Sequence, residues 1–159
     1  MTIAGGSSNS AGGETAARQR LMRACAEATE AELESAVVAL GVLPGAVEIR
    51  APQTGLVMLR GRIGGNGAPF NVGEATVTRA AVQLETGAVG VSYLLGRSHR
   101  RAHLCALVDA LGQDRRYREK LAATLVEPVL ARRAAEQDRT RGETAATRVD
   151  FFTLVRGED

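Results

Sequence analysis

Residues 55–79 constrain the fold of this chain more than any other stretch. They read GLVMLRGRIGGNGAPFNVGEATVTR, with five glycines between Gly61 and Gly73. Strand-like sequence that carries arginines flanks the glycines on both sides. Glycine lets a backbone turn tightly and approach another molecule closely. The stretch therefore predicts either a binding loop or a tightly built interface.

The sequence on both sides of the glycines predicts an antiparallel sheet. Four short segments have β-strand character and are joined by short connections: residues 46–50, 56–63, 75–84 and 89–95. The second segment alternates, with two faces formed by Val57, Leu59 and Ile63 and by Met58, Arg60 and Arg62. We expect the sheet to be packed on its apolar face only, which leaves the arginine face open to solvent or a partner.

Helices are predicted before the sheet. Residues 14–28 have a helical pattern, and the capping box of Thr29 and Glu32 begins a second helix that ends at Gly41. Together they predict an amphipathic helical hairpin, whose apolar surface offers a further docking site.

More helices are predicted after the sheet. Ser98 is the expected N-cap of a helix that reaches about Gly112. A second helix follows over residues 114–133, with Pro128 as a kink or a break. Residues 137–144 predict a polar loop, and residues 146–156 a final strand that returns to the sheet.

The predicted fold class is α+β. It comprises an N-terminal helical hairpin, an antiparallel sheet of about four to five strands, two later helices and a C-terminal strand. Residues 14–159 are expected to form a single domain, and residues 1–13, rich in Gly and Ser, a flexible tail.

Composition excludes several classes of function. No apolar run is long enough for a membrane span, and residues 1–13 lack the pattern of a secretion signal, so we expect a cytoplasmic protein. Cys25 and Cys105 are then expected to be reduced and packed as small apolar groups. A net charge of +2 and few aromatic residues disfavour nucleic-acid binding.

The sequence contains no convincing catalytic set, metal site or cofactor motif. No lysine follows Gly67 as a P-loop requires, and Phe70 interrupts a GxGxxG pattern. His99 and His103 have helical spacing, but no acidic third ligand matches it and two arginines lie beside them. No nucleophile–base pair stands out, and Cys105 lies among apolar residues that would keep its thiol protonated.

The candidate residues for an interface or an anion site share one stretch of chain and its flanking strands: Arg60, Arg62, Gly64, Gly65, Gly67 and Arg79. Nineteen of the 20 basic residues are arginine, which pairs well with carboxylate and phosphate. Two interpretations of the glycines remain open at this point. The glycines either build a structural turn or let the loop meet another protein's backbone.

Several separate blocks resemble one known family. The blocks are GLVMLRGRIGGNGAPFNVGEATVTRAAVQL, GAVGVSYLLGR, CALVDAL and RVDFFTLVRG, and they occur in the family's order. They are similar to the G subunit of the bacterial carbon–phosphorus lyase system, the PhnG family of phosphonate metabolism. The resemblance covers residues 18–157.

This resemblance implies a function that the residues alone do not. In that system the G, H and I subunits, helped by an L subunit, make α-D-ribose 1-methylphosphonate 5-triphosphate from a purine nucleoside triphosphate and methylphosphonate. The core assembly pairs G, H, I and J subunits. The G subunit is a required partner without established catalytic residues, so the resemblance implies a structural or interface subunit. The alternative is an anion-binding module that holds phosphate or phosphonate through its arginines and glycine loop.

Overall fold

The computed structural model describes residues 8–63 and 67–147, and these residues have the predicted α+β fold. The regular elements follow one another in the order α1 (Ser8–Glu27), α2 (Glu30–Ala39), β1 (Ala46–Arg62), β2 (Pro69–Leu84), β3 (Val89–Leu95), α3 (His99–Leu111), α4 (Arg115–Leu121) and α5 (Glu127–Ala146). A π-helical segment, Ala122–Val126, joins α4 to α5. Helix α1 begins six residues earlier than the sequence pattern predicts. Within the described ranges no helix is long and apolar enough to cross a membrane.

The described residues form three antiparallel strands in the order β1-β2-β3, fewer than the predicted four to five. The first two predicted segments merge into the 17-residue strand β1. Pro52 did not break it, because the proline falls inside a register shift of an edge strand, where a missing N–H interrupts no regular ladder position. Of the final strand predicted over residues 146–156, Ala146 is the last residue of α5. Residues 148–156 lie outside the described residues.

One face of the sheet packs against α3. Along β3 the buried positions alternate with exposed ones, as expected for a strand covered on one side, whereas the central strand β2 has buried residues on both faces between Val77 and Val82. Most of the buried side chains of both layers are aliphatic, among them Ala80, Val82, Leu84 and Leu94 from the strands, and Leu104, Val108 and Leu111 from the helix. The core therefore lies between the sheet and the helices, and α3 is its central element.

The two N-terminal helices both pack on α3, and their contact with each other is slight. Leu21 and Cys25 of α1 and Leu33 of α2 are buried in the core. The capping box forms as predicted, since the Thr29 hydroxyl accepts from the Glu32 amide and the Glu32 carboxylate accepts from the Thr29 amide. Much of the apolar surface that was expected to be open for docking, including Leu21, Cys25 and Leu33, is therefore part of the core.

The later helices agree with the prediction except at residues 137–144. Ser98 caps α3 as expected, with its hydroxyl accepting from the Arg101 amide. The helix predicted over residues 114–133 divides at the π segment, because Pro128 in the first turn of α5 has no N–H to donate and its ring excludes the normal α-helical bond. Residues 137–144 are helical and not a loop, since ion pairs such as Arg139–Glu143 and Arg141–Asp138 favour helix there.

The outer halves of β1 and β2 extend beyond the rest of the sheet. Strand β3 pairs with β2 only from Val77 to Gln83, whereas β1 and β2 continue to pair as far as Arg62 and Pro69. We call residues 55–62 and 69–76 the ribbon. The expectation that Leu59 and Ile63 face the core is wrong, because neither β3 nor α3 reaches them; they are 46% and 77% exposed.

A candidate interaction surface on the ribbon

The ribbon holds two of the candidate arginines at its outer end. Arg60 lies opposite Asn71 and Arg62 opposite Pro69 in the β1–β2 ladder. A register shift between Leu59 and Arg60 precedes them. Both arginine residues are exposed, so their guanidinium groups are available to another molecule.

The ribbon also exposes several large apolar side chains. The exposed large residues in or beside it are Leu56, Met58, Leu59, Ile63, Phe70 and Val72. By strand alternation Met58 lies on one face of the ribbon and Leu59 on the other, so both faces carry exposed apolar side chains of the kind that interaction sites bury. Arginines beside apolar residues are also the composition that protein–protein interfaces favour.

The turn at the end of the ribbon requires glycine at position 67. A Cβ atom added there would lie 2.2 Å from the Ile63 carbonyl oxygen, a backbone atom that cannot move aside. At position 61 the added Cβ would meet the Val72 side chain at 2.5 Å. These two glycines let the strands close tightly. Gly64 and Gly65 lie outside the described residues.

Unpaired cationic charge is concentrated on the sheet and the ribbon. Arg60, Arg62 and Arg79 form no ion pair with any described residue. Most helical arginines do, including Arg18 with Asp109 and Arg132 with Glu32. Because an unpaired guanidinium can bind a carboxylate or phosphate through two hydrogen bonds, these strand arginines are able to bind a partner.

The structure does not bring the candidate arginines to one point. Arg79 lies opposite Gln53, seven residues along β1 from Arg60. At about 3.4 Å per residue, that places the two backbones about 24 Å apart, too far to hold one phosphate group. Arg79 instead lines a separate cleft of about 190 Å³ with Gln53 and Tyr93.

Sequence reasoning missed three polar links that hold the sheet to α3. His103 Nδ1 lies 2.7 Å from a Glu48 carboxylate oxygen, and His99 Nε2 lies 3.0 Å from the Thr54 hydroxyl. Asp109, almost fully buried, accepts from the amide of Val91 at 2.9 Å. The two histidines therefore join α3 to β1 through polar contacts. In the sequence, their i, i+4 spacing was the one signal that they lie on the same face of a helix.

The two cysteines pack in the core, as expected. Both are buried, and the Cys105 thiol donates to the Cys25 carbonyl oxygen at 3.4 Å. For Cys25, the hydrogen bond with Cys105 and the burial of the side chain raise the pKa of the thiol well above its ordinary value. Cys25 is therefore a protonated thiol and a poor nucleophile.

The polar groups of the described residues are engaged mainly in structural contacts. Among the described residues, no three His, Cys, Asp or Glu side chains come together as a metal site. The polar side chains that do meet, such as Arg18 with Asp109, tie helices to the sheet. The ribbon offers an apolar and cationic surface.

Comparison with known proteins agrees with the blocks found in the sequence. The family model described as "Phosphonate metabolism protein PhnG" matches residues 16–157. The chain belongs to the PhnG family. One relative, from Rhizobium meliloti (strain 1021), is named alpha-D-ribose 1-methylphosphonate 5-triphosphate synthase subunit PhnG. It is 54% identical over 144 residues, which cover 91% of this chain and 92% of the relative. The PhnG match spans the ribbon and every helix after it.

Proposed function

We propose that this chain is a subunit of α-D-ribose 1-methylphosphonate 5-triphosphate synthase and takes part in the breakdown of organic phosphonates. The observation that carries the proposal is the 54% identity, over nine-tenths of both chains, to a relative with that name. The reaction joins methylphosphonate to the ribose of a purine nucleoside triphosphate. In this proposal the chain acts through contact with other subunits and supplies no catalytic group.

The ribbon is the proposed contact surface. Its exposed apolar residues would be covered by a partner, and Arg60 and Arg62 would pair with carboxylates at the rim of that contact. The family resemblance indicates the I, H and J subunits as partners, with the L subunit associated functionally. We also propose a cytoplasmic location, because the reaction consumes a nucleoside triphosphate.

Co-purification with the I subunit tests this proposal. We expect the chain to form a stable complex with that subunit and to show no turnover of nucleoside triphosphate alone. The variant Arg60→Glu/Arg62→Glu should weaken the complex at least tenfold, about 1.4 kcal/mol, because two attractive contacts become repulsive.

The control reverses the same charge elsewhere. Arg115→Glu/Arg139→Glu changes two exposed helical arginines far along the sequence from the ribbon and should leave the affinity unchanged. Equal effects of the two variants would contradict a specific role for the ribbon. Robust turnover by the isolated chain would contradict the proposal that it is not catalytic.

A second candidate function is direct anion binding at Arg79. It is favoured by one observation: Arg79, which forms no ion pair with a described residue, lines a cleft together with Gln53 and Tyr93. Titration calorimetry of the isolated chain with triphosphate and with methylphosphonate tests it. Heat that disappears in Arg79→Gln would support the second candidate, and no heat in the wild type would exclude it.

A further inference from the structure

The outer edge of β3 is closed at one end by side chains. In an antiparallel strand, the N–H and C=O of one residue point to the same side, and successive residues alternate. The Val91 amide donates to Asp109 at 2.9 Å, and the Val89 carbonyl accepts from Gln113 at 2.7 Å. Both groups therefore point away from β2, as do those of the other odd-numbered residues of β3.

The same edge is open at its other end. By this alternation, the N–H and C=O of Tyr93 and the N–H of Leu95 also point outward. No described residue forms a hydrogen bond with them. An edge with free backbone groups is a template for a further strand. The open part of the β3 edge begins at Tyr93, two residues after Val91, whose amide is bound by Asp109.

A groove lies next to this open edge. It has a volume of about 280 Å³ between α1 and β3, and its walls are largely apolar, with Met22, Ala26 and Leu94 among them. Arg23 stands in the same groove and forms no ion pair with a described residue, whereas Arg18 and Arg20 of the same helix are both paired. The groove therefore fits a strand that carries an apolar side chain close to a carboxylate.

We propose that residues 148–156 of this same chain occupy the groove and add a fourth strand to β3. Their sequence is RVDFFTLVR, in which Asp150 stands beside Phe151 and Phe152. One of the aromatic rings would fill the groove between Met22 and Leu94, and Asp150 would pair with Arg23. The strand would hydrogen-bond to the free backbone groups of Tyr93 and Leu95.

The chain is long enough to make this return. Arg23 and Gln137 line one small cleft, which places the middle of α5 beside the groove. From Gln137 to Ala146 the helix rises about 14 Å. Extended chain from residue 147 to 152 spans about 20 Å, which covers that distance. Because the segment is tethered, its effective concentration at the groove is high.

Amide hydrogen exchange on the isolated full-length chain tests the proposal. The amides of Tyr93 and Leu95 should exchange at least tenfold more slowly in the wild type than in Phe151→Asp/Phe152→Asp, which places two charges against an apolar groove. The amides of Ser92 and Leu94, which point toward β2, should not change between the two proteins and report that the sheet stays folded. The control Phe70→Asp alters the third phenylalanine, on the ribbon, and should exchange like the wild type.

Three results would overturn the proposal. The first is equal exchange of Tyr93 and Leu95 in the wild type and in the double variant. The second is protection that appears only when the other synthase subunits are added, which would assign the edge to a partner's strand. The third is protection that grows with protein concentration, which would assign it to a second copy. If Ser92 and Leu94 also lose protection, the charged variant has disturbed the sheet. Phe151→Ala/Phe152→Ala is then measured in its place and judged by the same three results.

Discussion

At position 90, the absence of a side chain decides how closely α3 can approach the sheet. A Cβ atom there would lie 2.0 Å from the Ala106 carbonyl oxygen and 2.3 Å from the Ala110 amide nitrogen. Both are backbone atoms of α3, so the whole helix would have to move. Gly90 is therefore the residue that sets the spacing between the two layers.

Gly90→Ala should lower the free energy of unfolding by about 2 to 3 kcal/mol, because overpacking forces a backbone shift. Urea denaturation followed by circular dichroism measures it. Gly55→Ala is the matched control, since its added Cβ meets nothing within 4 Å, and it should change stability by less than about 0.5 kcal/mol. Similar losses in the two variants would contradict the steric explanation.

Asp109 joins three elements through one buried carboxylate. It accepts from the Arg18 guanidinium of α1 at 2.8 and 2.7 Å and from the Val91 amide of β3, while its own backbone belongs to α3. Its side chain is only 2% exposed, against 45% for Arg18. The contact therefore orients α1 over the edge of the sheet.

Asp109→Asn should destabilise the chain by about 2 kcal/mol, because an amide cannot accept both guanidinium bonds and the Val91 bond. The loss is limited because Arg18 can turn to water. Thermal unfolding compares the variant with Asp138→Asn, whose carboxylate is exposed and pairs with Arg141. A midpoint for Asp109→Asn that matches that control would contradict the proposed link.

At the scale of elements, two separate contacts hold the start of α2 in place, and both involve Glu32. Glu32 closes the capping box with Thr29, and its carboxylate also accepts from Arg132 of α5 at 2.8 Å. The hydrogen bond from Arg132 holds the pKa of Glu32 below its ordinary value. A local signal in the sequence, the capping box, thus coincides with a distant contact between two helices.

This contact predicts a pH dependence of stability. A carboxylate with a lowered folded-state pKa stabilises the fold above its unfolded pKa of about 4.3, and the stabilisation is lost as the pH falls through the folded pKa. Glu32→Gln keeps the capping geometry but removes the charge. It should therefore cost about 1 kcal/mol at pH 7 and almost nothing in acid below the folded pKa.

Denaturation at pH 7 and at several acid values measures the change. The control Glu143→Gln lies in the last turns of α5, 3.8 Å from Arg139, and should change stability little at any pH. A Glu32→Gln effect of constant size across that range would contradict a charge-dependent contact.

Element boundaries show where sequence patterns work and where they fail. Caps such as Ser98 and Thr29 are local, because each hydroxyl bonds an amide three residues away, and both helix starts were predicted correctly. Pro52 looked like a strand end, but β1 passes through it by shifting register against β2. Whether a proline ends a strand depends on the neighbouring strand, which a single sequence does not contain.

At the scale of the whole molecule, the chain divides its charges by layer. The helices pair their arginines with one another's carboxylates, as in Arg20–Glu127 and Arg133–Glu27. The strands leave Arg60, Arg62 and Arg79 unpaired among the described residues, and the ribbon adds exposed apolar side chains. Most ion pairs among the described residues thus lie within the helices or join one helix to another, whereas the strand arginines are left for a partner.

Met58→Ser/Phe70→Ser should separate folding from assembly. Both side chains are more than two-fifths exposed, so the isolated chain should keep its unfolding free energy within about 1 kcal/mol. Binding to the I subunit should weaken at least tenfold, because apolar area is lost from the contact. Calorimetric unfolding and a binding titration give the two numbers.

The control is Val38→Ser/Val42→Ser, which removes two exposed valines outside the ribbon. It should leave both unfolding and binding unchanged. A ribbon variant that unfolds readily, or a control variant that binds as weakly as the ribbon variant, would contradict the division between folding and contact surfaces.

The sequence by itself determined the α+β class, the helix caps, the glycine-rich turn between two strands and membership of the PhnG family. These follow from local hydrogen bonds, from side-chain periodicity and from blocks of residues. Only the tertiary structure decided that Leu59 and Ile63 stay outside the core, that Arg79 lies far from Arg60, and that α1 and α2 pack on α3. Those outcomes depend on where β3 and α3 end, and so on contacts between residues distant in the chain.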